Sequence, residues 1–240
     1  MQVQLFIPCF MDQLYPGTAM NTVKVLERAG CTVSYNENQT CCGQPAFNAG
    51  FREESHAVCS KFERDFEDTE GFIVTPSASC AGFIRNYYGM LFSKSARMKE
   101  LKELTGRVYE LSDFLVNRLG VTDLGARFDG KATYHDSCAG LREYGIKAEP
   151  RQLLSNVEGL ELVEMQDLES CCGFGGTFAV KFEAISVAMG DQKTRNAEQT
   201  GASTLVSTDM SCLMHIQGVM KNRGVPMECL HLADVLASGY

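Results

Sequence analysis

Cys41-Cys42-Gly43 recurs as Cys171-Cys172-Gly173, with Cys9 and Cys138 lying upstream of the two triplets and Cys80 and Cys212 downstream. Eight of the eleven cysteines thus form two sets of four. Thiolates gathered around one point suit zinc, an iron–sulfur cluster or dithiol redox chemistry. Zinc sites usually draw two thiolates from a C-x-x-C knuckle, a spacing this sequence lacks. Adjacent cysteines tend to point apart along an extended chain, so holding one ion with both is strained, whereas a cluster several ångströms wide accepts both through different irons. The pattern therefore favours iron–sulfur over zinc, with Cys9, Cys41, Cys42, Cys80, Cys138, Cys171, Cys172 and Cys212 as candidate ligands.

Gly43, Gly173, Gly175 and Gly176 let the backbone approach closely and aim N–H groups at an anion such as a sulfide-rich cluster. A tight turn before a helix is the simpler reading of the same residues. Gly173-x-Gly175 does not complete a dinucleotide fingerprint, because Phe178 stands where the third glycine belongs. Lacking a phosphate loop, the chain is expected to carry electrons and leave organic cofactors to partners.

His215 stands three residues after Cys212 on a predicted helix, within reach of the same cluster as a ligand or supporting group, and otherwise is a packing residue. Phe83 fills the equivalent place after Cys80. His135-Asp136-Ser137 precedes Cys138 and suits a supporting hydrogen bond to the cofactor or a proton relay. Cys31 and Cys229 fall in or at predicted strands and Cys59 in a predicted helix, where free cysteines usually serve as small core residues.

The elements that must position these residues alternate. Predicted strands at 2–7, 31–35, 71–75 and 107–111 are separated by helices at 18–29, 51–66 and from Cys80 to about Leu104, with a last helix from 112 to 119. The second half repeats the order, with strands at 131–135, 161–164, 203–207 and 227–230 and helices at 150–157, 177–198, 213–221 and from Leu232. Each of the four cysteine positions in the set recurs about 130 residues on, as in a duplicated unit. Gly120 to Gly130 is the expected joint, dividing the chain into repeats of 1–125 and 126–240. Strand–helix alternation predicts an α/β protein of two similar βαβ-repeat halves, each with a parallel sheet, related by a pseudo-twofold. Cys9, Cys41-Cys42 and Cys80 then follow the carboxyl ends of strands, which a parallel sheet places on one edge. Four distant thiols meet there.

Composition sets the outer limits. Hydrophobic residues at 45% and charged residues at 22% over 240 residues describe an ordinary globular chain. A formal charge of -8 without a basic run argues against nucleic acid. No stretch approaches the ~20 apolar residues of a membrane span, and the amino terminus does not read as a signal peptide. The expectation is a cytoplasmic protein, where so many cysteines are ligands or redox groups rather than disulfides.

The duplicated cysteine set, together with Thr75-Pro76-Ser77-Ala78-Ser79-Cys80 and Cys171-Cys172-Gly173-Phe174-Gly175-Gly176, resembles the cysteine-rich CCG-domain family over the full chain. Relatives include the CCG-bearing subunits of heterodisulfide reductase and of anaerobic glycerol-3-phosphate dehydrogenase, and the iron–sulfur subunit of glycolate oxidase. The short two-repeat members of this kind serve lactate utilisation. That resemblance implies a cytosolic subunit of a three-protein system oxidising L-lactate to pyruvate, with a ferredoxin-type iron–sulfur subunit and a third subunit as partners. It implies four-iron, four-sulfide (4Fe-4S) clusters, one or two per chain, held by the eight cysteines. Family members with fuller motifs use a fifth cysteine in C-x-x-C, where this chain has Phe83 and His215. A metal-free or zinc-stabilised interaction subunit, or a dithiol reductase using the adjacent cysteines, are the alternatives.

Overall fold

The computed structural model describes residues 1–93 and 96–239. Its eight strands form two separate four-stranded sheets, all parallel. In the first, β1 (Gln2–Leu5), β2 (Thr32–Tyr35), β3 (Phe72–Thr75) and β4 (Val108–Glu110) lie in the order β2-β1-β3-β4. In the second, β5 (Arg127–Tyr134), β6 (Glu158–Leu162), β7 (Thr204–Ser207) and β8 (Glu228–His231) take the same order, β6-β5-β7-β8. The duplication read from the cysteines is thus a duplication of topology. Val3 lies opposite both Val33 and Phe72, and Ala132 opposite both Leu162 and Thr204, so β1 and β5 are the strands from which the chain turns first one way and then the other. That reversal opens a crevice at the carboxyl ends of the central strands.

Helices cover both sheets, and the two halves are knitted together by exchange. The helix Leu232–Leu236, which ends the second half, packs on Pro16–Arg28 of the first, where Thr18 Oγ1 and Asn21 Nδ2 donate to Asp234 at 3.0 and 2.9 Å. Reciprocally, the turns after β4 pack on Ala148–Leu154, and Asn117 Nδ2 donates to Glu149 Oε1 at 2.9 Å. One apolar core runs through both halves, from Val3, Leu5 and Leu26 to Leu205, Val206 and Leu236. A second core, built on Phe6, Phe62, Phe66, Phe83 and Tyr88, belongs to the first half alone and includes Cys42 and Cys80.

Most departures from the sequence reading concern segments without Gly or Pro punctuation. The helix expected from Cys80 to about Leu104 is two, Ala78–Leu91 and Met98–Gly106, and residues 94 and 95 of that expected helix lie outside the described residues. The helix expected over 177–198 breaks at Phe182 into Phe178–Lys181 and Glu183–Glu198. Gly140–Tyr144 and Phe114–Leu119 are π-helical, which no periodicity announces. β5 begins at Arg127, inside the expected joint, because Arg127 N–H bonds to Ser238 O and its strand pairs with Glu158 of β6.

Candidate metal centres

Local rules place each thiol. Cys9 opens the helix Cys9–Leu14 directly after Pro8, which cannot donate a backbone hydrogen bond and so ends the β1 segment. Cys80 sits in the first turn of Ala78–Leu91, where the capping Ser77 Oγ accepts its backbone N–H at 3.3 Å. Cys41 and Cys42 end the loop after β2, and Gly43 turns the chain into Gln44–Asn48 with φ 91°. Gly173 repeats that turn with φ 94°. Each glycine N–H donates to the first cysteine of its pair, at 3.3 Å from Cys41 Sγ and 3.4 Å from Cys171 Sγ. Each glycine carbonyl is held from behind by a serine, Ser55 Oγ at 3.0 Å from Gly43 O and Ser186 Oγ at 2.7 Å from Gly173 O. Both serines escaped the sequence reading; their signal was a serine at nearly the same distance after each CCG. Gly175 and Gly176 carry the turn on toward Phe178–Lys181.

In each half the thiols form a row of neighbours. Cys9 stands beside Cys41, Cys41 beside Cys42, and Cys42 beside Cys80. Cys138, Cys171, Cys172 and Cys212 follow the same sequence of contacts. Among the described residues, no three sulfurs of either row lie within 4.8 Å of one another. A tetrahedral zinc with bonds of about 2.3 Å holds its sulfurs ~3.8 Å apart, so neither row of thiols is already gathered around a single-ion position.

Charge is distributed unevenly along the rows. S–H donation from Cys42 and then Cys9 holds Cys41 at about 3, well below an ordinary thiol. Cys138 and Cys172 hold Cys171 at about 2 in the same way. The donors are pushed up in return: Cys9 by its bond to Cys41, Cys42 by its bonds to Cys41 and Cys80, Cys138 by Cys171, and Cys172 by Cys171 and Cys212. The metal-free chain therefore keeps one thiolate at the middle of each row, and a cation entering there displaces protons from the rest.

Behind the rows the halves diverge. Phe6 and His135 occupy one place, each donating its backbone N–H to the equivalent valine of the next strand, Val74 O at 2.9 Å and Val206 O at 2.8 Å. Phe6 meets Phe62 edge-on at 5.0 Å between ring centres, and Tyr88 Oη donates to Cys42 O at 2.8 Å. His135 is fully buried and forms with Cys172 and Cys212 the one group of three, among the described residues, whose donor atoms all lie within 4.8 Å. Burial and the nearby Lys193 hold its imidazole down at about 3, hence neutral. Lys193, unnoticed in the sequence, is fully buried and donates to the carbonyls of Asp167 and Leu168 at 2.8 and 3.0 Å. Burial lowers it to about 8. Asp167, at φ 50°, is the only non-glycine with positive φ among the described residues.

His215 is placed differently from His135. Its Nε2 lies 3.4 Å from Ser186 Oγ and 3.3 Å from Ser186 O, packed beneath Gly173 and Gly190, and it is not in the group of three. Of the remaining cysteines, Cys31 is buried in the main core and Cys229 Sγ lies 3.8 Å from Met220 Sδ. Cys59 comes nearer than the sequence suggested, its Sγ donating to Cys42 O at 3.5 Å, and burial lifts its thiol to about 11. Between the two rows, the buried Asp209 accepts from Ser77 Oγ, Ser79 N and Oγ, and Ser137 Oγ, at 2.7 to 3.3 Å. It ties the Cys80 turn to the Cys138 loop across the halves.

Residues 3–85 and 132–217, which hold all eight thiols, match the cysteine-rich CCG domain. Over its whole length the chain is 43% identical to lactate utilization protein A 2 of Bacillus cereus, covering 99% of that protein. It is 44% identical to lactate utilization protein A of Halalkalibacterium halodurans over 98% of this chain and 96% of the relative. Lactate utilization protein A 1 of Bacillus anthracis matches at 42% over the full chain. With two matched domains, the same topology twice and full-length relatives, the chain belongs to the cysteine-rich CCG-domain family.

Proposed function

We propose that the chain is a cytoplasmic iron–sulfur subunit of a system that oxidises L-lactate to pyruvate, relaying electrons between partner subunits. Its repeats, 1–125 and 126–240, would each hold one cluster, most simply 4Fe-4S. The observation that carries this reading is the thiol row built twice, each without three sulfurs gathered for a single ion and each with a backbone N–H on the first cysteine of its pair. The full-length relatives named for lactate utilization supply the substrate.

The residues fit such a group. Cys9, Cys41, Cys42 and Cys80 would hold it in the first half, and Cys138, Cys171, Cys172 and Cys212 in the second. When bound it would supply one-electron steps; lactate to pyruvate loses two electrons and two protons, so two such steps would carry the electrons of each turnover onward from a partner's substrate site. The chain's own residues do the rest. Gly43 and Gly173 orient an N–H toward sulfur, Ser55 and Ser186 fix those glycines, and the apolar core behind Cys42 and Cys80 excludes water. A ferredoxin-type iron–sulfur subunit and a third subunit would supply the lactate site and the electron acceptor.

The group formed by His135, Cys172 and Cys212 favours a second reading, a single zinc held in the second half of an interaction subunit. Growth and metal content separate the two. In cells lacking their own copy, Cys42→Ser and Cys172→Ser are each expected to abolish growth on L-lactate while growth on glucose continues. Undiminished growth on lactate by both variants would rule out the electron-transfer role. Zinc in place of iron after anaerobic purification would favour the second reading.

A further inference from the structure

We propose that His135 is a ligand of the second centre, giving it an imidazole that the first centre lacks. The inference rests on the iron–sulfur reading and adds a donor to it. A side chain without solvent exposure must satisfy its polar atoms internally, and an unpaired buried imidazole nitrogen carries an uncompensated desolvation cost. Neither Nδ1 nor Nε2 of His135 has a hydrogen-bond partner, although the ring is completely buried. Its donor atom lies within 4.8 Å of the sulfurs of Cys172 and Cys212.

The ring is held in that place from its backbone. His135 N–H bonds to Val206 O at 2.8 Å, and its carbonyl accepts from Ser207 Oγ at 2.9 Å. At the first centre the same backbone position presents the Phe6 ring, which offers no donor. The second centre therefore has five donors to the first centre's four. A neutral imidazole adds a donor without adding charge, so the potential stays above that of a centre whose fifth donor is a thiolate.

The test uses the full chain, reconstituted with iron and sulfide without oxygen, in a Cys42→Ser background that leaves the second centre alone. With isotopically labelled histidine, pulsed paramagnetic resonance of the reduced protein is expected to show a directly bonded nitrogen, lost in His135→Phe and kept in His215→Phe. Both replacements copy residues already present in the first half, Phe6 and Phe83. Mössbauer spectra, which need no paramagnetic state, are expected to show one iron distinct from the others with His135 and merged with them in His135→Phe. The midpoint potential should shift in His135→Phe with iron content unchanged. Iron bound in the second centre with no nitrogen coupling and no distinct iron overturns this assignment alone. A chain that binds no iron in either half overturns the iron–sulfur reading and the assignment together.

Discussion

Behind the first thiol row stand Phe6, Phe62, Phe83 and Tyr88; behind the second, the equivalent places carry His135, Lys193, His215 and Met220. The thiols, the left-handed glycine and the serine behind it are the same in both. What is repeated is what holding a group requires, and what differs is what sets its charge balance. An aromatic wall offers low dielectric and no counter-charge, so added negative charge is disfavoured there. A buried ammonium beside Cys171 and Cys172 favours it. The first centre should therefore be the harder to reduce and the second the easier.

The glycines give the largest effect that separates the halves. A Cβ at Gly173 would lie 2.5 Å from Ser186 O, a backbone atom of a long helix, whereas at Gly43 it meets Cys59 Sγ at 2.9 Å and Ser55 O at 3.2 Å. Both substitutions also force a left-handed residue, at roughly 1–3 kcal/mol. Gly173→Ala is expected to lose about 4 kcal/mol or more and Gly43→Ala about 2, read from urea midpoints at constant slope. Equal losses would show that the two turns are not differently confined.

The helix caps after β4 and β8 make a second pair. Glu110 Oε2 accepts from Ser112 N at 2.7 Å, and His231 Nδ1 accepts from Ala233 N at 3.1 Å. Burial lifts Glu110 to about 8 and lowers His231. Between an ordinary carboxyl value of about 4.3 and about 8, the unfolded chain has lost the Glu110 proton and the folded chain retains it. Its contribution is complete below that window and is lost as pH rises through it. For His231 the unfolded chain gains a proton below about 6.5 while the folded chain resists, so its contribution is lost as pH falls. Glu110→Gln should flatten the alkaline side of a stability–pH profile by up to a few kcal/mol, and His231→Asn the acid side. A profile unchanged by either substitution would contradict the buried, neutral state of that cap.

Smaller effects concern the rows themselves. In the metal-free chain, Cys41 and Cys171 should alkylate at rates that stay flat from about pH 5 to about pH 8, because each is already a thiolate. Cys9 and Cys138 should lag at every pH in that range, which peptide mapping can follow. Lys193→Met should change stability by only about 1 kcal/mol, since removing a buried charge offsets the lost bonds to Asp167 and Leu168. It should lower the potential of the second centre and leave that of the first unchanged.

The parts legible in the sequence were those that repeat. Two strand–helix series and eight cysteines at one offset identify the parallel sheets and the crevice, since strand ends in a parallel sheet share an edge. His135 was visible as a residue near Cys138, but its partners Cys172 and Cys212 come from other strands, and only the topology brings them together. Lys193 was not legible, because one lysine in Glu183–Glu198 looks like its exposed neighbours until the helix is placed. The break between the helices Ala78–Leu91 and Met98–Gly106 was not legible because neither Gly nor Pro stands between them. Asp209 gave no sign of reaching across to Ser77 and Ser137, contacts that depend on how the two halves face each other.

The most direct test is iron and sulfide content, with visible and paramagnetic resonance spectra, of the chain reconstituted without oxygen and of its Cys42→Ser and Cys172→Ser variants. Two centres predict about eight irons per chain in the parent and about four in each variant, with the two variants retaining different spectra that sum to the parent's. Iron absent from the parent, or unchanged in both variants, would contradict a cluster in each half.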